Sequence, residues 1–181
     1  MEMYFIALVA PEEINQYALK WKLWMKEKYF CEVALKSPAH ITLIPPFWMN
    51  AGLEAGLKDS LNEFASVQNN FIAQLKNFSH FGHRVIFIDI VSNGRLTNLH
   101  RALFLFLLDK NCYPLKADDR PFSPHITLAA RDLHKRTFRE AWEHFKAKGY
   151  EQEWEVQDVS LLKHNKKNWD VIFTSQFGKL S

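Results

Sequence analysis

One short motif occurs twice in the sequence, and it carries side chains that can do chemistry. Residues 40–43 and residues 125–128 both read His-Ile-Thr-Leu. Pro38 stands two positions before the first histidine, and Pro124 stands directly before the second. One copy lies in each half of the chain, so a chance repeat is a poor explanation.

Alternate side chains share one face of a β-strand, so each copy presents an imidazole and a hydroxyl on one side and two aliphatic groups on the other. We predict that His40 and Thr42 point the same way, and that His125 and Thr127 do so in the second copy. Roughly 7 Å separates the Cα atoms within each pair. If a pseudo-twofold axis relates the two halves, both pairs converge on one cleft.

Two histidines and two hydroxyls on opposite sides of a cleft suit the hydrolysis of a phosphodiester. One imidazole takes a proton from water, and the other protonates the leaving oxygen. With an ordinary pKa near ~6.5, a neutral and a charged histidine can coexist near neutral pH. The threonine hydroxyls can donate to the non-bridging oxygens. No metal or other cofactor is required, and no trio of possible ligands has metal-site context. His80 and His83 are predicted to belong to a surface loop, or else to line the rim of the cleft, rather than to form a metal site.

The hydrophobic pattern predicts the elements that must position these residues. The predicted helices span about residues 11–29, 53–64, 95–108 and 133–148. The predicted strands span about residues 3–9, 40–44, 70–75, 84–91, 125–129, 155–162 and 169–175. Pro45 and Pro46 are expected to end the second strand, because proline cannot donate to a sheet ladder. The apolar stripe of the first helix leaves Lys20, Lys22 and Lys26 on its other face.

Helices interspersed with strand pairs favour an α+β fold with antiparallel sheets. The chain has 181 residues, which suits a single domain over residues 1–181. The internal repeat suggests that this domain has two similar lobes, with residues 40–43 in one and residues 125–128 in the other. A monomer is expected.

Composition excludes several classes of protein. The 23 basic and 20 acidic residues give a net charge of +3, which is too small for a dedicated nucleic-acid coat. The longest early apolar run, residues 3–10, is far shorter than a membrane helix needs, and it lacks the features of a signal peptide. Cys31 and Cys112 are expected to be reduced thiols. We therefore expect a cytoplasmic protein that does not enter a membrane.

The paired His-x-Thr-Leu motifs, 85 positions apart, resemble those of the two-histidine (2H) phosphoesterase superfamily. Its members include bacterial 2′-5′ RNA ligase-like proteins and 2′,3′-cyclic nucleotide phosphodiesterases. Residues 4–11 are similar to the opening strand of the family and its proline-started helix, and residues 81–88 to its mid-chain loop and strand. The resemblance covers nearly the whole chain.

This resemblance implies a bilobal α+β fold, in which two antiparallel-sheet lobes with outer helices surround a central V-shaped cleft. It implies that His40 and His125 are the acid/base pair and that Thr42 and Thr127 bind the phosphate. The implied substrate is RNA or a nucleotide with a 2′,3′-cyclic phosphate or a 2′-5′ linkage. The same pair could also ligate RNA in the reverse direction.

Two other functions fit the same motifs. One is an RNA- or nucleotide-binding module without turnover, against which the intact His and Thr in both copies argue. The other is an exonuclease that trims RNA 3′ ends, which calls for a more basic approach to the cleft than +3 clearly supplies. Assay of the metal-free protein on cyclic-phosphate substrates separates these functions.

Overall fold

The protein is an α+β structure with two antiparallel sheets, as a computed structural model that describes residues 1–116 and 120–178 shows. The strands in the described part of the chain are β1 (Glu2–Val9), β2 (His40–Met49), β3 (Phe71–Phe81), β4 (Val85–Ile90), β5 (His125–Ala129), β6 (Glu151–Val156), β7 (Asp158–His164) and β8 (Trp169–Gln176). The helices are α1 (Glu12–Tyr29), α2 (Glu54–Ser66), α3 (Gly94–Asp109) and α4 (Lys135–Lys146), with short 3₁₀ turns at Val33–Lys36 and Ala51–Leu53.

The two sheets have matching architectures. The first has the strand order β2-β1-β7-β8, and the second has the order β5-β4-β3-β6. Each begins with an edge strand that carries one His-Ile-Thr-Leu motif, and all neighbouring strands are antiparallel. This correspondence supports the predicted pseudo-twofold relation and confirms the bilobal α+β fold.

Helices cover one face of each sheet. In the first sheet, α2 contacts β7 and β8, and α3 contacts β2. In the second sheet, α1 contacts β5, and α4 contacts β3. The aliphatic residues of both motifs, Ile41, Leu43, Ile126 and Leu128, are at most 1% exposed. Burial of these side chains is the main force that fixes the strand orientation, so the histidines and threonines must face the other way.

The structure corrects the predicted end of the second strand. β2 continues through Pro45 and Pro46 to Met49. Among the described strands, β2 lies at a sheet edge and pairs with β1 alone, so a missing N–H group is tolerated there. The register between β1 and β2 shifts at the prolines. Tyr4 lies opposite Phe47 and Ile6 lies opposite Ile44, so β2 has one more residue than β1 between these two pairs.

The predicted strand at residues 155–162 is also wrong, because two strands occupy this region. β6 ends at Val156 and belongs to the second sheet, and β7 begins at Asp158 and belongs to the first. β6 alternates exposed and buried residues from Glu153 to Val156, whereas β7 buries four consecutive residues. β3 extends to Phe81, so His80 lies in a strand rather than in the predicted loop.

Two expectations from composition can be compared with the structure. Cys31 and Cys112 are both free, as predicted. In the part of the chain that the structure describes, no helix is long and apolar enough to span a membrane.

Candidate active site

The two motif histidines occupy equivalent positions in their sheets. His40 is the first residue of β2 and lies opposite Val9 of β1. His125 is the first residue of β5 and lies opposite Asp89 of β4. The threonines follow at the same offset, with Thr42 opposite Ala7 and Thr127 opposite Phe87.

The same local hydrogen bond orients both imidazoles. Nδ1 of His40 lies 2.7 Å from the carbonyl oxygen of Pro38, and Nδ1 of His125 lies 2.8 Å from that of Ser123. A carbonyl oxygen only accepts, so in each ring Nδ1 must carry the hydrogen. In the neutral ring, Nε2 then keeps a lone pair and can take up a proton.

The two motif strands meet although they belong to different sheets. β2 and β5 are in contact, and the charge of His125 is close enough to His40 to lower its pKa. A cavity of about 620 Å³ is lined by Thr42 from the first motif and His125 from the second. His40 and Thr127 are not among the described residues that line it. Both are partly exposed.

Aromatic rings and basic side chains form much of the remaining lining. Phe81, Phe104 and Phe122 line the cavity together with Lys116 and Arg120. The aromatic rings offer apolar surface to a base, and the two cations favour a negatively charged ligand. A cavity of this size can hold a nucleotide-sized molecule.

Each histidine is packed against an aromatic ring of the neighbouring strand. The ring centroid of His40 lies 4.9 Å from that of Phe5, which also contacts Trp169 at 4.7 Å. The ring of His125 lies 5.0 Å from Phe87 and 4.9 Å from Phe81. Phe5 is 3% exposed and packs with Ala7 and Leu162 in a small buried cluster, so it supports the His40 ring from below.

The environments of the histidines lower both pKa values. Burial, together with the charges of Lys22 and His125, lowers the pKa of His40 to about 4, although the Pro38 carbonyl opposes this. Burial also lowers the pKa of His125, against the opposing effects of the Ser123 carbonyl and the Asp89 carboxylate. Without an anionic ligand, both rings are therefore neutral at pH 7.

Lys22 acts electrostatically on His40, and the sequence pattern places it on the wrong face of its helix. It was expected on the outer face of the first helix, but it is 3% exposed and donates to the Ser37 carbonyl at 3.0 Å. The helical spacing of the apolar residues does indicate burial of Lys22, because position 22 lies four residues after Ala18 and three before Met25, both of which are buried. Lys22 therefore belongs to the buried stripe of α1 and not to its solvated face.

Asp89 was also missed. Its position opposite His125 depends on the register between β4 and β5, which the sequence does not reveal.

The other histidines considered above do not join the pair. His80 and His83 contact the ring of Phe138 at 5.2 Å, and Nδ1 of His80 bonds to the Gly82 carbonyl. Among residues 1–116 and 120–178, no group of three or more His, Cys, Asp or Glu side chains could hold a metal ion.

Comparison with known proteins identifies the family of this chain. Residues 10–168 match the 2′-5′ RNA ligase superfamily. The chain belongs to this superfamily. The match spans both motifs, the whole of the second sheet, and strands β2 and β7 of the first sheet. No curated protein matches the sequence.

Solved structures share the fold over their full length. TT0787 of Thermus thermophilus is 20% identical, with a TM-score of 0.69 and 100% of each chain covered. LigT of E. coli in complex with 3′-AMP is 19% identical, with a TM-score of 0.67, covering 98% of this chain and 99% of LigT. A phosphoesterase is 17% identical, with a TM-score of 0.63 and coverage of 99% and 100%. At these identities, the likeness establishes a common LigT-like fold.

Proposed function

We propose that this member of the 2′-5′ RNA ligase superfamily is a metal-independent phosphoesterase. Its proposed substrate is a 2′,3′-cyclic phosphate, or a 2′-5′ phosphodiester, in RNA or a nucleotide. The superfamily is shown by the family match, and the substrate and the reaction are what we propose in addition. The observation that carries it is the matched orientation of His40 and His125 on two contacting strands.

The hydrogen bonds at Nδ1 support acid/base chemistry. They leave Nε2 of each ring as the atom that exchanges a proton with the substrate or with water. Hydrolysis of a phosphodiester needs a proton acceptor for water and a proton donor for the leaving oxygen. A pair of imidazoles on the contacting strands β2 and β5 can supply both functions, so no metal ion is required for proton transfer.

The threonines and the cavity lining support binding of the phosphate. Thr42 and Thr127 each stand two residues after a histidine on the same strand face, where their hydroxyls can donate to non-bridging oxygens. Lys116 and Arg120 add positive charge to the cavity. E. coli LigT has been crystallised with 3′-AMP, ATP and NADP⁺, which supports a nucleotide-type ligand for this related fold.

The same groups can run the reaction in the ligating direction. A 5′-hydroxyl then replaces water as the nucleophile that attacks the cyclic phosphate. Water is in vast excess, so we expect hydrolysis to dominate.

The test is an assay of the metal-free protein in EDTA on 2′,3′-cyclic mononucleotides, cyclic-phosphate-ended RNA and a 2′-5′-linked dinucleotide. We expect turnover to persist in the chelator. His40→Ala and His125→Ala should each lower kcat by about 10²–10⁴-fold, the usual scale for a proton-transfer group. The double variant should lose less than the product of the two losses, since the pair acts as a unit.

His134→Ala is the matched control, because His134 is an exposed histidine outside the cavity. It should keep the activity of the parent. Full turnover by either motif variant would contradict the paired mechanism. Activity lost in EDTA and restored by a divalent ion would contradict metal independence.

A further inference from the structure

The two motif copies are identical in sequence, but the charges beside them differ. A buried lysine lies near His40, whereas a carboxylate lies across the strand ladder from His125. Two histidines in different electrostatic fields have different proton affinities, so they cannot be equivalent in proton transfer.

Helix α1 holds the segment that leads into His40. Oδ1 of Asn15 accepts a hydrogen bond from the backbone N–H of Ala39 at 2.8 Å, and Nζ of Lys22 donates to the carbonyl of Ser37 at 3.0 Å. The two side chains are seven residues apart, or about two helical turns, so they project from the same face. Between their two contacts lies Pro38, whose carbonyl fixes the His40 ring. Lys22 is therefore coupled to His40 through three consecutive residues as well as through space.

Lys22 remains a cation near neutral pH. Burial lowers its pKa to about 8, which still leaves it mainly protonated at pH 7. The titratable groups that act on His40 are Lys22 of α1 and His125 of β5, and both disfavour its protonation. The carboxylate that acts on His125 is Asp89 of β4, and it favours protonation.

We infer that Lys22 is a positioning residue that makes His40 the proton acceptor of the pair and leaves His125, opposite Asp89, as the proton donor. This inference rests on the proposed phosphoesterase function. It assigns the two roles, which the identical motif sequences do not.

The reaction then proceeds with a defined direction of proton flow. Nε2 of His40 takes a proton from water while the water oxygen forms a bond to phosphorus. The bond from phosphorus to one ribose oxygen breaks, and that oxygen takes the proton from Nε2 of the His125 imidazolium. His40 ends protonated and His125 neutral, and exchange with solvent restores both.

The first test is an NMR pH titration of the imidazole Cε1–H signals in the ligand-free protein. Lys22→Met removes the charge and keeps a long apolar side chain. We expect it to shift the titration of His40 to higher pH and to leave that of His125 in place. Lys20→Met, an exposed charge removed from the same helix, is the matched control and should shift neither. Asp89→Asn should shift His125 to lower pH and leave His40 in place.

The titration overturns the role of Lys22 if His40 titrates identically in the parent and in Lys22→Met, or if His125 moves instead. If Lys22→Met fails to fold, the Asp89→Asn variant still tests whether a negative charge beside His125 favours its protonation, in contrast to the positive charge beside His40. An unchanged His125 in that variant overturns the inference.

The second test separates acid from base by the leaving group, because a pH profile alone does not assign the two roles. A 4-nitrophenyl phosphodiester has a leaving group that needs little protonation. We expect His125→Ala to lose about 10²–10⁴-fold on a cyclic phosphate but to keep most of the parent rate on the nitrophenyl ester. His40→Ala should be impaired on both substrates. The opposite pattern overturns the assignment. A parent protein that cleaves neither substrate contradicts the proposed function, while the titration still decides the role of Lys22.

Discussion

At the residue scale, the chemistry of the candidate site can be predicted from the sequence because the same motif occurs in both halves of the chain. The His-x-Thr spacing fixes which side chains share a strand face, and burial of Ile41 and Ile126 enforces that choice. The effects of Lys22 and Asp89 on the two histidines cannot be predicted from the sequence in the same way. The effect of Lys22 depends on the docking of a helix against a loop, and that of Asp89 depends on strand register. Neither leaves a local motif.

The threonines yield a prediction at the same scale. Thr42→Val and Thr127→Val keep the shape of the side chain and remove one hydroxyl donor to the phosphate. A hydrogen bond to a charged group contributes about 1.5–3 kcal/mol, so each variant should lose about 10–100-fold in kcat/KM on a cyclic phosphate. Thr97→Val is the control, since Thr97 lies on α3 and its hydroxyl bonds to the Asn93 carbonyl. A valine variant at either motif that loses nothing would remove that threonine from the site.

At the scale of elements, helices were predicted well and strand boundaries less well. Repeated apolar side chains at three- and four-residue steps locate a helix from sequence alone. Strand ends depend on pairing. Pro45 and Pro46 are compatible with β2 only because β2 is an edge strand. The change of sheet at Gln157 depends on which partner each strand finds, so it appears only when both sheets are formed.

A carboxylate on α2 ties that helix to the first sheet. Glu54 accepts hydrogen bonds from Tyr4 at 2.9 Å, Lys163 at 3.0 Å and Lys58 at 2.8 Å. The bond from Lys58 is the main reason that the pKa of Glu54 is lowered to about 2, and the bonds from Lys163 and Tyr4 add to it. A carboxyl whose pKa is lower in the folded state stabilises that state above its unfolded pKa of 4.5, and the stabilisation is lost as the pH falls toward 2.

Glu54→Gln should therefore lower the free energy of unfolding at pH 6 by roughly 1–2 kcal/mol, after allowance for solvent screening. The difference from the parent should shrink by more than half when urea denaturation is repeated at about pH 3. Asp59→Asn removes an exposed carboxylate from the same helix and serves as the control, with little change expected at either pH. A constant difference between Glu54→Gln and the parent across this range would show that charge is not the cause.

At the scale of the whole molecule, each lobe contains elements from both halves of the chain. The second sheet takes α1 from the first half of the chain, and the first sheet takes β7 and β8 from the C-terminal end. Asp132 adds a polar link across 100 positions, because its Oδ2 accepts from the backbone N–H groups of Glu32 at 2.6 Å and Val33 at 2.8 Å. Neither sheet can be completed by one half of the chain alone. We therefore expect the lobes to unfold as a single unit.

Urea unfolding followed by far-UV circular dichroism and by tryptophan fluorescence tests this expectation, since a two-state protein gives coincident curves. Asp132→Ala removes the acceptor for both N–H groups at the start of the 3₁₀ turn and should cost about 1–2 kcal/mol, the scale of a lost helix cap. It should lower the midpoint of both curves together. Asp132→Asn keeps an acceptor oxygen and should lose less. Two separated transitions in the parent, or a shift in only one probe in Asp132→Ala, would mean that the lobes are independent domains.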